Sequence, residues 1–347
     1  MSLFYLVFLT AISVAIHLMY ADIIYIHKAD HHHRFPGYVE MYWGKRAANI
    51  TNVIILTAVF FTLTAYLVLS LSFANLVAPT LPLAVKLLFF WILGSAAIFL
   101  TVKKAAILDT VTTSITLLMI LVIFVLGIFT SPEKLLFIPT SNPVFLFFPF
   151  GPILFALLGE TAIPATMAYS RAENLTVKEI RRVVSYGSLI PSIFYLLFVI
   201  GILGISGLAV SDDSVSGLIG YVPKIVLVLI GIFGFVSLWD SYSSAGTEIK
   251  KTLEYEWKLP RSVINSVVIF SPLVLYFVGF TNFLELVSFI GGILYSIWGL
   301  LIVITWRKAR IIEGVNDTLI NKFSPLAVYS LIFIFIAGII YHIINFL

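Results

Sequence analysis

Long apolar runs separated by short charged segments are the main pattern of this chain. A helix needs roughly 20 apolar residues to cross a hydrocarbon layer of about 30 Å, and about ten windows meet that length. They fall at 2–26, 49–77, 82–102, 105–130, 145–169, 183–208, 223–247, 262–279, 283–306 and 323–346. The pattern therefore predicts an all-α polytopic membrane protein.

The basic residues give this prediction an orientation. If the first helix runs from outside to inside, all but three of the 21 Lys and Arg residues fall on the inner side, the exceptions being Lys86, Lys134 and Lys224. The positive-inside rule favours that arrangement. Because no linker divides the chain, we predict one transmembrane domain over 1–347. Residues 28–48 are expected to form a cytoplasmic interfacial loop, and residues 170–182 a cytoplasmic amphipathic loop.

Composition supports the same class and excludes others. Hydrophobic residues make up 61% of the chain and charged residues 11%, with a mean hydropathy of +1.08. A soluble domain of 347 residues does not bury that much apolar surface. The basic residues are too sparse for a nucleic-acid-binding face. The first apolar run lacks a basic leader and a small-residue cleavage site, so we predict no cleaved signal peptide.

Few motifs suggest metal or enzyme chemistry. The chain has no cysteine, and three consecutive histidines, His31 to His33, do not converge on one ion in a helix or strand. There is no HExxH, GxSxG or phosphate-cradling glycine loop in the sequence. We therefore predict no metal site, no cofactor and no enzymatic activity.

The segment 150–167, FGPILFALLGETAIPATM, is an apolar window interrupted by glycines and prolines around Glu160. In lipid a helix must satisfy its own backbone groups, so such a break frees N–H and C=O groups that need partners. In secondary transporters, half-helix ends of this kind point at substrate and coupling ion. The alternative is a Pro-kinked structural helix whose Glu160 bonds to a neighbouring Ser or Thr.

Asp240 is the other mid-window carboxylate, and it is followed by Ser241 and further serines. Carboxylate and hydroxyl oxygens suit a hard cation or a proton. The alternative is a Ser-rich packing face with Asp240 paired to a basic loop residue. We expect His17 and His342 to form interhelical hydrogen bonds, and Asp109, near a window end, to be structural.

Several stretches together resemble the amino acid permeases of the amino acid/auxin and aromatic amino acid (tryptophan/tyrosine) type, in the five-plus-five inverted-repeat (LeuT-like) superfamily. The resemblance covers nearly the whole chain, although each motif alone is weak. The matching residues are His33 to Tyr38, Ala65-Tyr66, Phe150-Gly151, Gly159 to Pro164, Asp240-Ser241, Lys250 to Trp257 and Ser288 to Gly292.

The resemblance implies secondary active transport of an amino acid, hydrophobic or aromatic, across the cell membrane by alternating access coupled to H⁺ or Na⁺. It implies that the backbone at Gly159, Glu160 and Thr161 binds the charged ends of the substrate. Its further implied site residues are Tyr66 and Phe155, lining the side-chain pocket, and Asp240 and Ser241, serving the coupling ion. Asp240 stands where the family leads us to expect Thr, and Glu160 where an apolar or aromatic residue is more usual.

One expected segment is missing from the sequence. The family has eleven helices, and its first, which carries a glycine-rich break, would precede Met1. An inverted repeat of five also needs a counterpart five helices upstream of the break at 150–167, but only four windows precede it. We therefore expect a LeuT-like bundle that lacks its first helix, either because the sequence starts late or because the protein works without half of the expected site. The alternative function is a truncated non-transporting homologue or an amino acid-sensing membrane receptor.

Overall fold

The computed structural model describes residues 2–27, 34–100, 102–130, 147–157, 159–314, 318–320 and 323–346. These residues form α-helices joined by short turns, with no β-strand in the described part. The helices are α1 (Ser2–Ile26), α2 (Phe35–Trp43), α3 (Lys45–Val77), α4 (Leu83–Ala97), α5 (Val102–Thr130), α6 (Phe150–Leu157), α7 (Ile163–Ala172), α8 (Val177–Ser206), α9 (Lys224–Tyr255), α10 (Arg261–Val278), α11 (Phe283–Phe289), α12 (Ser296–Glu313) and α13 (Pro325–Phe346). A 3₁₀ turn (Glu160–Ala162) joins α6 to α7, and a π-helical turn (Ile290–Tyr295) joins α11 to α12.

Nine helical segments within the described residues are long and apolar enough to cross a membrane. The predicted all-α polytopic membrane class is thereby confirmed. The predicted window 82–102 does not form a helix of crossing length. Its helix, α4, has only 15 residues and ends in a turn before Leu100. A helix of that length spans about 22 Å, less than the hydrocarbon layer. The third of the ten predicted crossing segments is thus a shorter apolar helix.

Part of the segment 28–48, predicted as an interfacial loop, is helical. Helix α2 occupies residues 35–43, while 28–33 lie outside the described residues. Pro36 sits in the first turn of α2, where its missing N–H costs no hydrogen bond. The Tyr42 hydroxyl lies 2.7 Å from His27 Nε2 and 3.2 Å from Glu313 Oε1. Burial, and then the Glu313 carboxylate, raise the pKa of Tyr42 above its usual range.

The segment 170–182 comprises the end of α7, a tight connection over 173–176 and the first turns of α8. Helix α7 ends at Ala172 and α8 begins at Val177. The Thr176 N–H donates to Glu179 Oε2 at 2.7 Å, and the Glu179 N–H donates to Thr176 Oγ1 at 3.4 Å. This reciprocal pair is a capping box, which satisfies two N–H groups at the start of α8.

The chain divides into two compact units, each assembled from separate segments. The first unit comprises Met1–Ala58, Ser141–Ile193 and Val287–Leu347. In it α1 contacts α6, α7 and α12, and α12 contacts α13. Helix α6 crosses the end of α11 and the π-helical turn so closely that a Cβ on Gly151 would lie 2.6 Å from the Ser288 carbonyl oxygen of α11. Small residues at this crossing allow the two backbones to touch.

The second unit comprises Val59–Thr140 and Phe194–Leu286. Helix α9 is its centre, because α4, α5 and α10 all pack against it. Glycine also allows α8 to pack closely against α5. A Cβ on Gly201 of α8 would lie 2.7 Å from the Ile123 carbonyl oxygen of α5. Three of the four boundaries between the two units fall within α3, α8 and α11, and the fourth lies outside the described residues.

Candidate functional site

The predicted helix break is present in the first unit. Helix α6 ends at Leu157, residue 158 lies outside the described residues, and a 3₁₀ turn over Glu160–Ala162 leads into α7. Gly159 has φ −123° and ψ 37°, which is not helical, and its carbonyl oxygen accepts from the Ala162 N–H at 3.0 Å. Pro164 lies in the first turn of α7. The glycines and prolines therefore do interrupt the helix where the sequence predicts it.

Two side chains of α1 satisfy backbone groups on either side of the break. The Ser13 hydroxyl donates to the Leu157 carbonyl oxygen at 2.8 Å. The Gly159 N–H donates to His17 Nε2 at 2.9 Å. Ser13 and His17 are four residues apart, so they lie on one face of α1 one turn apart, and both are buried. Helix α1 thus supplies the partners that a broken membrane helix needs.

These bonds fix the tautomer of His17. Since Nε2 accepts a hydrogen bond from a backbone N–H, it carries no proton, and the ring proton lies on Nδ1. Nδ1 is 2.7 Å from Ser188 Oγ, and Ser188 Oγ donates to the Val184 carbonyl oxygen at 2.8 Å. A directed chain of hydrogen bonds therefore runs from Gly159 through His17 and Ser188 to α8. The prediction that His17 is an interhelical hydrogen-bonding group is confirmed.

Glu160, the carboxylate predicted at the break, is only 2% exposed. Its Oε1 is fully buried and has no hydrogen-bond partner in the described part of the chain. The alternative in which a neighbouring Ser or Thr satisfies this oxygen is therefore not observed. A buried polar atom without a partner is costly, and such atoms are concentrated at functional positions.

The other predicted residues of the break differ from Glu160 in their surroundings. Thr161 is exposed. The half-buried ring of Phe155 stacks parallel on Tyr295, with 6.0 Å between centroids. Tyr295 in turn meets Trp298 edge to face, and the buried Trp298 Nε1 has no partner among the described residues. Sequence reasoning missed Tyr295 and Trp298, because they lie more than a hundred residues from the break and in no motif that marks them.

The predicted ion site, Asp240 and Ser241, lies on α9 in the second unit. Asp240 is buried, and Thr112 Oγ1 of α5 lies 2.6 Å from its Oδ2. Asp109 on α5 also interacts electrostatically with Asp240. The alternative of an ion pair with a basic loop residue is not observed in the described part of the chain. Ser241 is half-buried beside Asp240.

Thr112 connects the Asp240 carboxyl group to the backbone of α5. Its single hydroxyl proton has three acceptors in reach, Asp240 Oδ2 at 2.6 Å and the carbonyl oxygens of Leu108 and Asp109 at 2.9 and 3.1 Å. If Asp240 is ionised, the hydroxyl donates to the carboxylate. If Asp240 is protonated, it donates to Thr112, which then donates to a carbonyl. The arrangement accepts either protonation state.

Tyr66, the remaining predicted residue, is half-buried on α3 and belongs to the second unit. The predicted substrate residues therefore fall in two units, with Phe155 and the break in the first. The predicted ion residues share the second unit with Tyr66.

The fold and the break define the class as a polytopic, all-helical membrane protein with a discontinuous helix. No protein-family model matches the chain, and a search of curated proteins gives no match.

Proposed function

We propose that this protein is a secondary active transporter, which moves hydrophobic or aromatic amino acids across the cell membrane by alternating access coupled to H⁺ or Na⁺. The observation that carries the proposal is the buried Glu160 carboxyl group at the helix break, with Oε1 unpartnered in the described chain. The ammonium group of an amino acid supplies the charge-assisted hydrogen bonds that this oxygen lacks. Carboxylates inside membrane helices typically mark substrate or ion pathways.

A further feature supports the proposal. Phe155 lies four residues before Gly159 on α6, and its ring stacks on Tyr295 to offer an apolar surface for a substrate side chain. For the architecture, a LeuT-like inverted-repeat bundle stays our prediction from the sequence resemblance.

Counterflow in reconstituted vesicles tests the proposal. Vesicles are loaded with unlabelled leucine, phenylalanine and tryptophan, and the uptake of labelled amino acid is measured. We expect exchange by the wild type and a loss of about 10- to 100-fold in apparent affinity for Glu160→Gln, since a hydrogen bond to a charged group is worth about 1.5–3 kcal/mol. Glu285→Gln is the matched control, because Glu285 is exposed and bonds only to Asn282 in the described chain. Wild-type exchange by Glu160→Gln contradicts the assignment.

The role of Asp240 in coupling transport to the ion is tested separately. Under an imposed H⁺ or Na⁺ gradient, we expect Asp240→Asn to exchange amino acids without concentrating them, because the amide cannot exchange a proton or neutralise a cation. Asp212→Asn, at an exposed loop position, is the control. Unchanged accumulation by Asp240→Asn would remove this residue from the coupling step.

A second candidate is an amino acid-sensing receptor or a non-transporting homologue. The observation that favours it is that the Leu157 carbonyl and the Gly159 N–H of the break already have partners on α1. A substrate then finds fewer free backbone groups than a broken helix usually offers. Saturable binding of labelled amino acid to the purified protein, with no counterflow in vesicles, selects this candidate.

A further inference from the structure

A cavity of about 670 Å³ lies in the first unit, where α12 ends and α13 begins. Arg307 and Arg310 line one part of it. Apolar side chains form most of the remaining wall, among them Trp306, Ile311 and Phe323. The cavity combines two cationic groups with an apolar surface, and it takes no part in the helix break.

Aromatic rings hold both guanidinium groups in place. Arg310 lies over the Trp306 ring at 5.2 Å and donates to the Ile320 carbonyl oxygen. Arg307 lies over the Tyr329 ring at 4.9 Å and donates to the Tyr329 hydroxyl at 3.0 Å. A guanidinium group has five N–H donors, so both arginines retain donors for a further ligand. Within the described chain, neither lies within ion-pair distance of a carboxylate, although Arg310 interacts electrostatically with the Asp22 carboxylate.

The surroundings of the cavity are apolar and exposed. Ile311 is 71% exposed and Leu326, next to the cavity residue Pro325, is 77% exposed. Both lie at helix ends that the charge pattern assigns to the inner side of the membrane.

We propose that this cavity binds the phosphate headgroup of an anionic phospholipid, with the acyl chains lying along the exposed ends of α12 and α13. Arginine suits this role because its planar fork bonds two phosphate oxygens at once. Basic pockets between membrane helices on the cytoplasmic side bind anionic headgroups in the same way. A zwitterionic lipid gains less, because its own ammonium group competes for the phosphate.

Lipid titration of the full-length protein tests this proposal and does not depend on transport. The purified protein is titrated with phosphatidylglycerol or phosphatidylcholine, and bound lipid is measured by native mass spectrometry. We expect saturable, selective binding of phosphatidylglycerol. Arg307→Gln weakens it about fivefold, the value of one basic residue near an anionic surface. Ile311→Glu, at an exposed position, weakens it by charge repulsion without touching the core.

The control is Arg182→Gln, which removes an exposed arginine of the same unit that does not line the cavity. We expect it to bind phosphatidylglycerol as the wild type does. Equal binding of the two lipids overturns the proposal, as does wild-type binding by both Arg307→Gln and Ile311→Glu. Displacement of the lipid by millimolar inorganic phosphate would instead identify a free-anion site, and it overturns the lipid assignment as well.

Discussion

The chain of hydrogen bonds from Gly159 through His17 to Ser188 makes a quantitative prediction about stability. His17→Leu removes both the acceptor of the Gly159 N–H and the partner of Ser188. An orphaned buried N–H costs about 1–3 kcal/mol. Ser188→Ala removes only one interhelical bond, and such bonds in membrane proteins are worth about 0.6 kcal/mol on average and about 1.7 at most. We therefore expect His17→Leu to cost about 2–4 kcal/mol, and Ser188→Ala about 1 kcal/mol.

The double variant separates this account from simple loss of packing. Once His17 is absent, Ser188 has lost its partner on α1, so the second substitution should cost almost nothing. The two effects should fall short of additivity by about 0.6–1.7 kcal/mol. The assay is reversible unfolding of the purified protein in mixed micelles, followed by tryptophan fluorescence and circular dichroism.

Ser206→Ala provides the matched comparison on the same helix. Ser206 is buried like Ser188, but its hydroxyl bonds only to the Ile202 carbonyl of α8 in the described chain. Its cost should therefore be the same with and without His17, within about 0.3–0.5 kcal/mol. If the His17 and Ser188 effects also add within that margin, the hydrogen-bond chain contributes nothing, and the reasoning is refuted.

Three further outcomes are expected from the same unfolding assay. Gly291→Ala should destabilise the protein by about 1–3 kcal/mol or prevent folding, because the new Cβ meets the backbone of α6. Gly187→Ala is the control and should be neutral or slightly stabilising, because no atom beyond the neighbouring part of its own helix lies within 4 Å of the position of its new Cβ. Asp22→Leu should lower the free energy of unfolding more than Trp306→Phe does. The Asp22 carboxylate accepts hydrogen bonds from the Trp306 Nε1–H at 2.8 Å and from the Leu319 N–H at 2.7 Å, and its removal leaves both donors without a partner. Burial raises the pKa of Asp213, but hydrogen bonds from serines outweigh that effect and hold the pKa below its usual range. Its contribution to stability should therefore be present above about pH 4 and be lost as the pH falls through the lowered pKa, so the cost of Asp213→Asn should vanish in acid.

The helices and the break were predictable from sequence because both depend on local properties. Apolar runs of crossing length predict helices, and glycine and proline around Glu160 predict the interruption. Helix α4 is the exception, since the apolar pattern continues past Ala97 while the helix stops there. Hydropathy measures where a chain is apolar, and it does not measure where a helix ends inside an apolar stretch.

The partners of the break were not predictable, because they depend on tertiary contacts. Ser13 and His17 lie more than 140 residues from the groups they bind, and nothing local in α1 marks them. The spacing of four residues places them on one face of α1, but many other pairs in the chain share that spacing. Asp109 was expected to be structural because it lies near a window end, and only the packing of α5 on α9 brings it near Asp240.

The bond between His17 and Gly159 limits how the break can bind an amino acid. The Gly159 N–H is one donor, and its proton cannot serve the imidazole and a substrate carboxylate at full strength together. A carboxylate that binds at Gly159 must therefore displace His17, and the released Nε2 must find another donor. A receptor that binds only through Glu160 and the aromatic rings leaves the imidazole in place. The ¹⁵N chemical shift of His17 Nε2 consequently distinguishes these two ways of binding an amino acid. The shift should change on addition of amino acid if the substrate carboxylate binds at Gly159, and it should stay constant if the substrate binds only through Glu160 and the aromatic rings.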